Sequence, residues 1–144
     1  MGGYGAIGRD SRGRPVFALA GGLQNGDVIY MELFAIRAGL LKARTMQIQQ
    51  VQVRSDSMVA VQMIVGTFQP HWEFLGLLEE IRSLRDGFRN CSFNHHVREI
   101  NGCADFLAGF VHHVEEVDFC ITCLPEALSS LIRNDASSMT YYRL

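Results

Sequence analysis

The sequence predicts an α/β fold, a mixed β-sheet flanked by helices. Three observations predict it. Apolar residues recur with period two in some segments and at steps of three and four in others. The two kinds of segment alternate in the order β-β-α-β-α-α-β-α, followed by a tail. Tight turns pair strands antiparallel and helical crossovers pair them parallel, so the sheet is mixed. The composition suits one folded domain: 144 residues, 48% of them apolar and 19% charged, supply a core and argue against global disorder.

Residues 3–8, GYGAIG, are small and apolar and read as a short strand. Asp10-Ser11-Arg12-Gly13-Arg14 is turn chemistry, because Asp and Ser start turns and Gly supplies positive φ. Residues 15–22, PVFALAGG, form a second strand, so 3–22 is a β-hairpin. A polar, Gly-containing loop follows. From Ile29 to Arg44 the period becomes helical, with Ile29, Leu33, Ile36, Leu40 and Ala43 on one face and Asp27 as N-cap.

Residues 48–54, IQQVQVR, alternate again and read as a strand. Ser55-Asp56-Ser57 ends it and starts a helix with Val59, Met63 and Ile64 inward. Gly66 to Pro70 is a break. Trp72 to Arg85 reads as one helix, with Phe74, Leu77, Leu78, Ile81 and Leu84 at helical spacing. Residues 91–97 form the next strand. Asn101 caps a helix through Ala104, Leu107, Ala108 and Val111. After about residue 118 the pattern weakens, Pro125 interrupts it, and one short helix fits 126–132.

The longest apolar stretches fall far short of the ~20 residues that span a bilayer, and no charged segment followed by an apolar run marks a secretory signal. No membrane association and a cytoplasmic or nuclear location are therefore expected. The net charge of −2 does not advertise a nucleic-acid binder. However, twelve of the thirteen cations are Arg and only Lys42 is Lys, and Arg forks match phosphate geometry. Cys91, Cys103, Cys120 and Cys123 include a single CxxC. A structural zinc site needs four ligands, and the adjacent pair His112-His113 is poorly spaced to complete one, so ordinary reduced thiols are expected.

Three acids stand out. Glu32 falls in the first turn of a helix, Asp56 at a strand-to-helix junction, and Asp105 in the first turn of the last helix. Open α/β sheets gather their sites outside the carboxyl ends of strands, where Asp56 lies. The structural alternative is that acids in a first helical turn simply complement the helix dipole.

The runs YGAIGRDSRG, MELFAIRAGL, VRSDSMVAV and FNHHVREINGCADFLA, in this order over residues 3–113, resemble the ribonuclease H-like superfamily. The variant they are most similar to is the plant, retrotransposon-derived, reverse-transcriptase-like ribonuclease H type-1 domain. IRNDASSMTYYRL resembles that variant's C-terminal extension more weakly. The resemblance implies a ribonuclease H-like domain over 1–116 and an extension over 117–144, with a five-stranded mixed sheet. Of that family's four catalytic acids, Glu32, Asp56 and Asp105 match the last three as catalytic and metal-binding residues.

By the same resemblance, they would hold two Mg²⁺ ions and hydrolyse the RNA strand of an RNA/DNA hybrid, the nucleic-acid partner, in a monomeric domain. The family's first, central strand, which carries the remaining Asp, precedes Gly3 in the pattern and has no match in the chain. The strands at 3–8 and 48–54 would then close on each other or borrow a strand, and activity would be impaired. The alternative function is a catalytically inactive nucleic-acid- or protein-binding domain of retroelement origin, or a truncated fragment. The short loop REING holds no histidine. His95 and His96 fall in the preceding strand, one facing the wall and one exposed.

Overall fold

In a computed structural model of the protein, residues 2–23, 27–96, 117–118 and 142–143 are described. Strands β1 (Gly2–Arg9) and β2 (Pro15–Leu23) form the expected antiparallel hairpin. Asp10 builds its turn: its Oδ1 accepts from the Arg12 and Arg14 backbone N–H groups at 2.9 and 3.0 Å, and its Oδ2 accepts from Arg14 Nε at 2.8 Å. Gly13 takes φ 78°, the left-handed conformation that glycine adopts without steric cost. Burial pushes the Asp10 carboxyl up, but the hydrogen bonds from Arg14 and Arg12 outweigh it and hold the pKa below the usual carboxylate value.

The small residues of the hairpin have a packing reason. Tyr4 lies directly across from Gly21, and Phe17 directly across from Gly8. Each aromatic ring occupies the space where a Cβ on the opposite glycine would sit. Both rings are buried, so neither glycine tolerates a side chain without displacing a core aromatic.

Helix α1 (Val28–Thr45) is capped by Asp27, whose side chain accepts from the Tyr30 N–H at 3.0 Å. It closes in a Schellman arrangement. Gln47 takes φ 60°, its N–H donates to the Arg44 carbonyl, and the Ile48 N–H donates to the Ala43 carbonyl. Ile48 and Ala43 are both buried and supply the accompanying apolar contact. Strand β3 (Gln50–Ser55) follows, then α2 (Met58–Val65), capped by the Ser57 side chain and ended by Gly66 at φ 88°. The sequence MVAVQMIV is rich in β-branched residues and short, so burial of Ala60, Val61, Met63 and Ile64 rather than helix propensity holds it.

The expected single helix from Trp72 to Arg85 is divided. Trp72–Phe74 is a 3₁₀ turn, and α3 runs Leu75–Asp86. A tightened first turn of this kind is common at helix starts. It buries Phe74 and leaves Trp72 exposed. Strand β4 (Asn90–His95) pairs parallel with β3 along its whole length, with Gln50 opposite Asn90 and Ser55 opposite His95.

Two short strands complete the sheets. β5 (Val117–Asp118) pairs antiparallel with β2, and Asp118 forms an ion pair with Lys42 of α1. β6 (Tyr142–Arg143) pairs antiparallel with β3. The described strands thus make two three-stranded sheets, β1-β2-β5 and β4-β3-β6, rather than one continuous sheet. The core lies between the sheets and α1, α2 and α3, which pack on one another. Leu33, Ile36, Leu40, Val51, Val53, Phe74, Leu78 and Ile81 are buried as their periodicity requires, whereas Ile29 and Val59 are only half-buried at its margin. Leu107 and Val111, and the helices expected at 101–111 and 126–132, lie outside the described residues.

Candidate functional site at the carboxyl end of β3

β3 alternates cleanly. Val51, Val53 and Ser55 face the core and are buried, while Gln50 is exposed and Gln52 and Arg54 are half-buried. Ser55 therefore places a hydroxyl where the pattern supplies valine. That hydroxyl donates to Glu32 Oε2 at 3.4 Å and accepts from the Ser57 N–H at 3.1 Å. It ties helix α1 to the end of β3 and to the start of α2. The Glu32 carboxylate is thereby held at the carboxyl end of β3, where the next residue in the chain is Asp56. Ser55 is a positioning residue that motif reasoning passed over. Its one sequence signal is a polar residue in the inward register of an apolar strand.

One correction concerns the acids. Glu32 is not in the first turn of its helix. The helix begins at Val28, which puts Glu32 one turn further in, and the first turn holds no acid. The dipole effect fades within the first turn, so it does not account for Glu32. Asp56 lies at the expected strand-to-helix junction, just before Ser57, which caps α2 by accepting from the Ala60 N–H at 3.2 Å. Asp105 lies outside the described residues. Among the described residues there is no group of three or more His, Cys, Asp or Glu able to hold a metal ion.

The histidines reach the same end of the sheet. His95 is the last residue of β4 and is exposed, whereas His96 lies just beyond the strand and is half-buried. The His96 N–H donates to the Ser55 carbonyl at 2.8 Å, extending the parallel ladder past the strand end. Burial, then the Arg54 guanidinium and then His95 hold the His96 imidazole below its usual value. Between that lowered value and the ordinary ~6.5, the unfolded chain takes up a proton that the folded chain refuses. Stability from this group is therefore complete above ~6.5 and is lost as the pH falls through the window below it. Arg54→Gln should raise the His96 pKa in an NMR titration. An unchanged value in that variant would show that Arg54 does not set it.

Cys91 is a free thiol that burial pushes up to about 11, so it stays protonated at neutral pH. Cys103, Cys120, Cys123, His112 and His113 lie outside the described residues. No helix among the described residues is long and apolar enough to cross a membrane.

The architecture has solved counterparts. One is the N-terminal ribonuclease H domain of a Mycobacterium tuberculosis protein, solved as a fusion with maltose-binding protein. It is 20% identical, with a TM-score of 0.56 over 78% of this chain and 97% of that one. The ribonuclease H1 of the halophilic archaeon Halobacterium salinarum NRC-1 is 25% identical, with a TM-score of 0.56 over 74% of this chain and 91% of that one. LC11-ribonuclease H1, solved in complex with an RNA/DNA hybrid, is 19% identical, with a TM-score of 0.70 over 78% of this chain and 84% of that one. No curated protein matches the chain. Residues 1–111 match the reverse transcriptase-like family. With its ribonuclease H-like architecture, the chain belongs to that family, whose ribonuclease H members generally use divalent metal ions.

Proposed function

We propose that the protein is a ribonuclease H-like domain that binds RNA/DNA hybrid and acts on its RNA strand at the carboxyl end of β3. The observation that carries this reading is the convergence of two carboxylate residues there, Glu32 fixed through Ser55 and Asp56 next to Ser55 in the chain. The likeness to LC11-ribonuclease H1, itself solved with a hybrid, supports the substrate class. Carboxylate oxygens are the donors that Mg²⁺ prefers, so Glu32 and Asp56 fit a site for that ion, with Asp105 as a third ligand. Two such ions, when bound, would lower the pKa of an attacking water and stabilise the departing oxygen of the phosphodiester.

The protein's own part is to hold acids that repel one another in fixed positions. The Ser55 hydroxyl does this for Glu32 by donating to its Oε2. Hybrid recognition would rest on backbone shape and on the 2′-OH groups of the RNA strand, and so would be largely independent of sequence.

In a second reading the domain binds hybrid and turns it over slowly or not at all. A single experiment separates the two. Labelled RNA/DNA hybrid and DNA duplex of the same sequence are titrated with the protein, and the RNA strand is followed with and without Mg²⁺. Tighter binding of the hybrid, weakening as salt rises, is expected on both readings. Mg²⁺-dependent cleavage of the RNA strand selects the first, and binding without cleavage selects the second. Equal affinity for the two duplexes would overturn both.

A further inference from the structure

Strand β4 ends its sheet. β3 pairs with it along its whole length, and among the described residues no strand lies on its other side. The Asn90 N–H donates to the Gln49 carbonyl at 3.2 Å, and the His96 N–H donates to the Ser55 carbonyl at 2.8 Å. Backbone groups of a strand point alternately to its two edges, so Ser92 and Asn94 also bond toward β3. Cys91, Phe93 and His95 therefore present their N–H and carbonyl groups to the open edge. The strand's sequence, NCSFNH, holds no Lys, Arg, Asp, Glu or Pro. Charges and proline are the devices that keep an edge from pairing with another chain, so this edge is unguarded. The outer edge of the hairpin, by contrast, is partly covered by β5.

We infer that the open edge of β4 is a self-association surface, and that its occupant is the β4 of a second copy of this chain, paired antiparallel about a two-fold axis at Phe93. A two-fold axis between identical strands makes the same patch meet itself. The register that uses all three open-edge residues centres on Phe93. Phe93 then faces Phe93 of the partner copy, and Cys91 faces the partner copy's His95, each pair exchanging both main-chain bonds. Between them Ser92 lies opposite the partner copy's Asn94, hydroxyl beside amide. The half-buried Phe93 gains an aromatic cross-strand neighbour, and no like charges are opposed. The strand thus complements itself. Because β4 runs parallel with β3, the two candidate sites at the carboxyl ends of β3 fall at opposite ends of the joined sheet. This inference stands on the strand pairing and is independent of the proposed nucleic-acid function.

The test uses the full chain. Ser92 and Asn94 are exposed. In the inferred register they oppose each other between copies as a non-hydrogen-bonded pair, with Cα atoms ~4.5 Å apart and within reach of a disulfide. When Ser92→Cys protein is mixed with Asn94→Cys protein under mild oxidation, a 92–94 link between molecules should form, identified by peptide mass mapping. A mixture of Asn90→Cys with Ser92→Cys protein is the control. Those two positions fall ~14 Å apart along the paired strands, which is out of reach, and should give only background.

In parallel, sedimentation of the parent chain should show a mass that rises toward that of a dimer as the concentration is raised. His95→Pro removes an outward N–H and spares the bonds that β4 makes to β3. It should weaken self-association at least ~10-fold, while Val51 and Val53 keep their hydrogen-exchange protection and report that the β3–β4 ladder survives. A parent chain that stays monomeric however concentrated would overturn the inference, as would equal linkage in the two cysteine mixtures. Undiminished self-association of His95→Pro would overturn it too, by placing the contact elsewhere. Should His95→Pro lose protection in β3 as well, the cysteine mixtures decide.

Discussion

Asp56→Asn should abolish Mg²⁺-dependent cleavage of RNA/DNA hybrid and leave the fold standing. The substitution keeps the shape of the side chain and removes its charge. Loss of even an outer partner of a metal site typically costs 10–100-fold in affinity or activity, so loss of a direct carboxylate ligand should cost at least ~100-fold. The same variant should bind Mn²⁺, read by calorimetry, correspondingly more weakly, which provides a measurement where turnover is slow. Stability should change by less than ~1 kcal/mol, because Ser57 rather than Asp56 caps α2. An Asp56→Asn protein that cleaves hybrid and binds Mn²⁺ like the parent would remove Asp56 from the site. A variant that fails to fold would give Asp56 a structural part that its position outside the cap does not suggest. Ser55→Ala is the companion: it should weaken Mn²⁺ binding less than Asp56→Asn does, since Ser55 only positions Glu32.

Leu78→Ala should be among the most destabilising single changes in the described core. Leu78 is 0% exposed and belongs to the cluster that α3 shares with Leu33, Ile36 and Leu40 of α1. Truncating a leucine in such a place removes apolar burial and leaves a cavity, at ~2–5 kcal/mol. Against the ~5–15 kcal/mol that holds a typical domain together, this is a large fraction. Urea unfolding followed by circular dichroism should show the midpoint falling with the slope unchanged. Leu75, in the first turn of the same helix, is 44% exposed, and Leu75→Ala should cost under ~0.5 kcal/mol. Equal losses in the two variants would mean that α3 does not pack through the face its periodicity marks.

Much of the fold is written locally. The hairpin is legible because Asp10 and Gly13 carry turn chemistry between two small apolar runs. The first helix is legible because Asp27 can cap it and Leu33, Ile36, Leu40 and Ala43 recur at helical steps. The strand at Val51 and Val53 is legible from alternation. Each of these signals lies within one element, so no knowledge of the rest of the molecule is needed to read it. The same holds for Asp56, whose place at a strand-to-helix junction follows from the order of elements alone.

The candidate site was only partly legible for the opposite reason. Glu32 could be picked out as an unusual acid. What fixes it is a hydrogen bond from Ser55, on another element, and no periodicity announces such a contact. The glycines opposite Tyr4 and Phe17 likewise acquire their meaning only when the hairpin register puts each beneath a ring. By itself the sequence determined the kinds and order of the main elements among the described residues, the inward face of most of them, and the three acids worth testing, because turn chemistry, caps and apolar spacing act over a few residues. Only the tertiary structure decided that Ser55 joins Glu32 to the end of β3, and that Val117–Asp118 and Tyr142–Arg143 complete the two sheets. A two-residue strand has no period to read, and its pairing is chosen by whichever buried edge lies open in three dimensions.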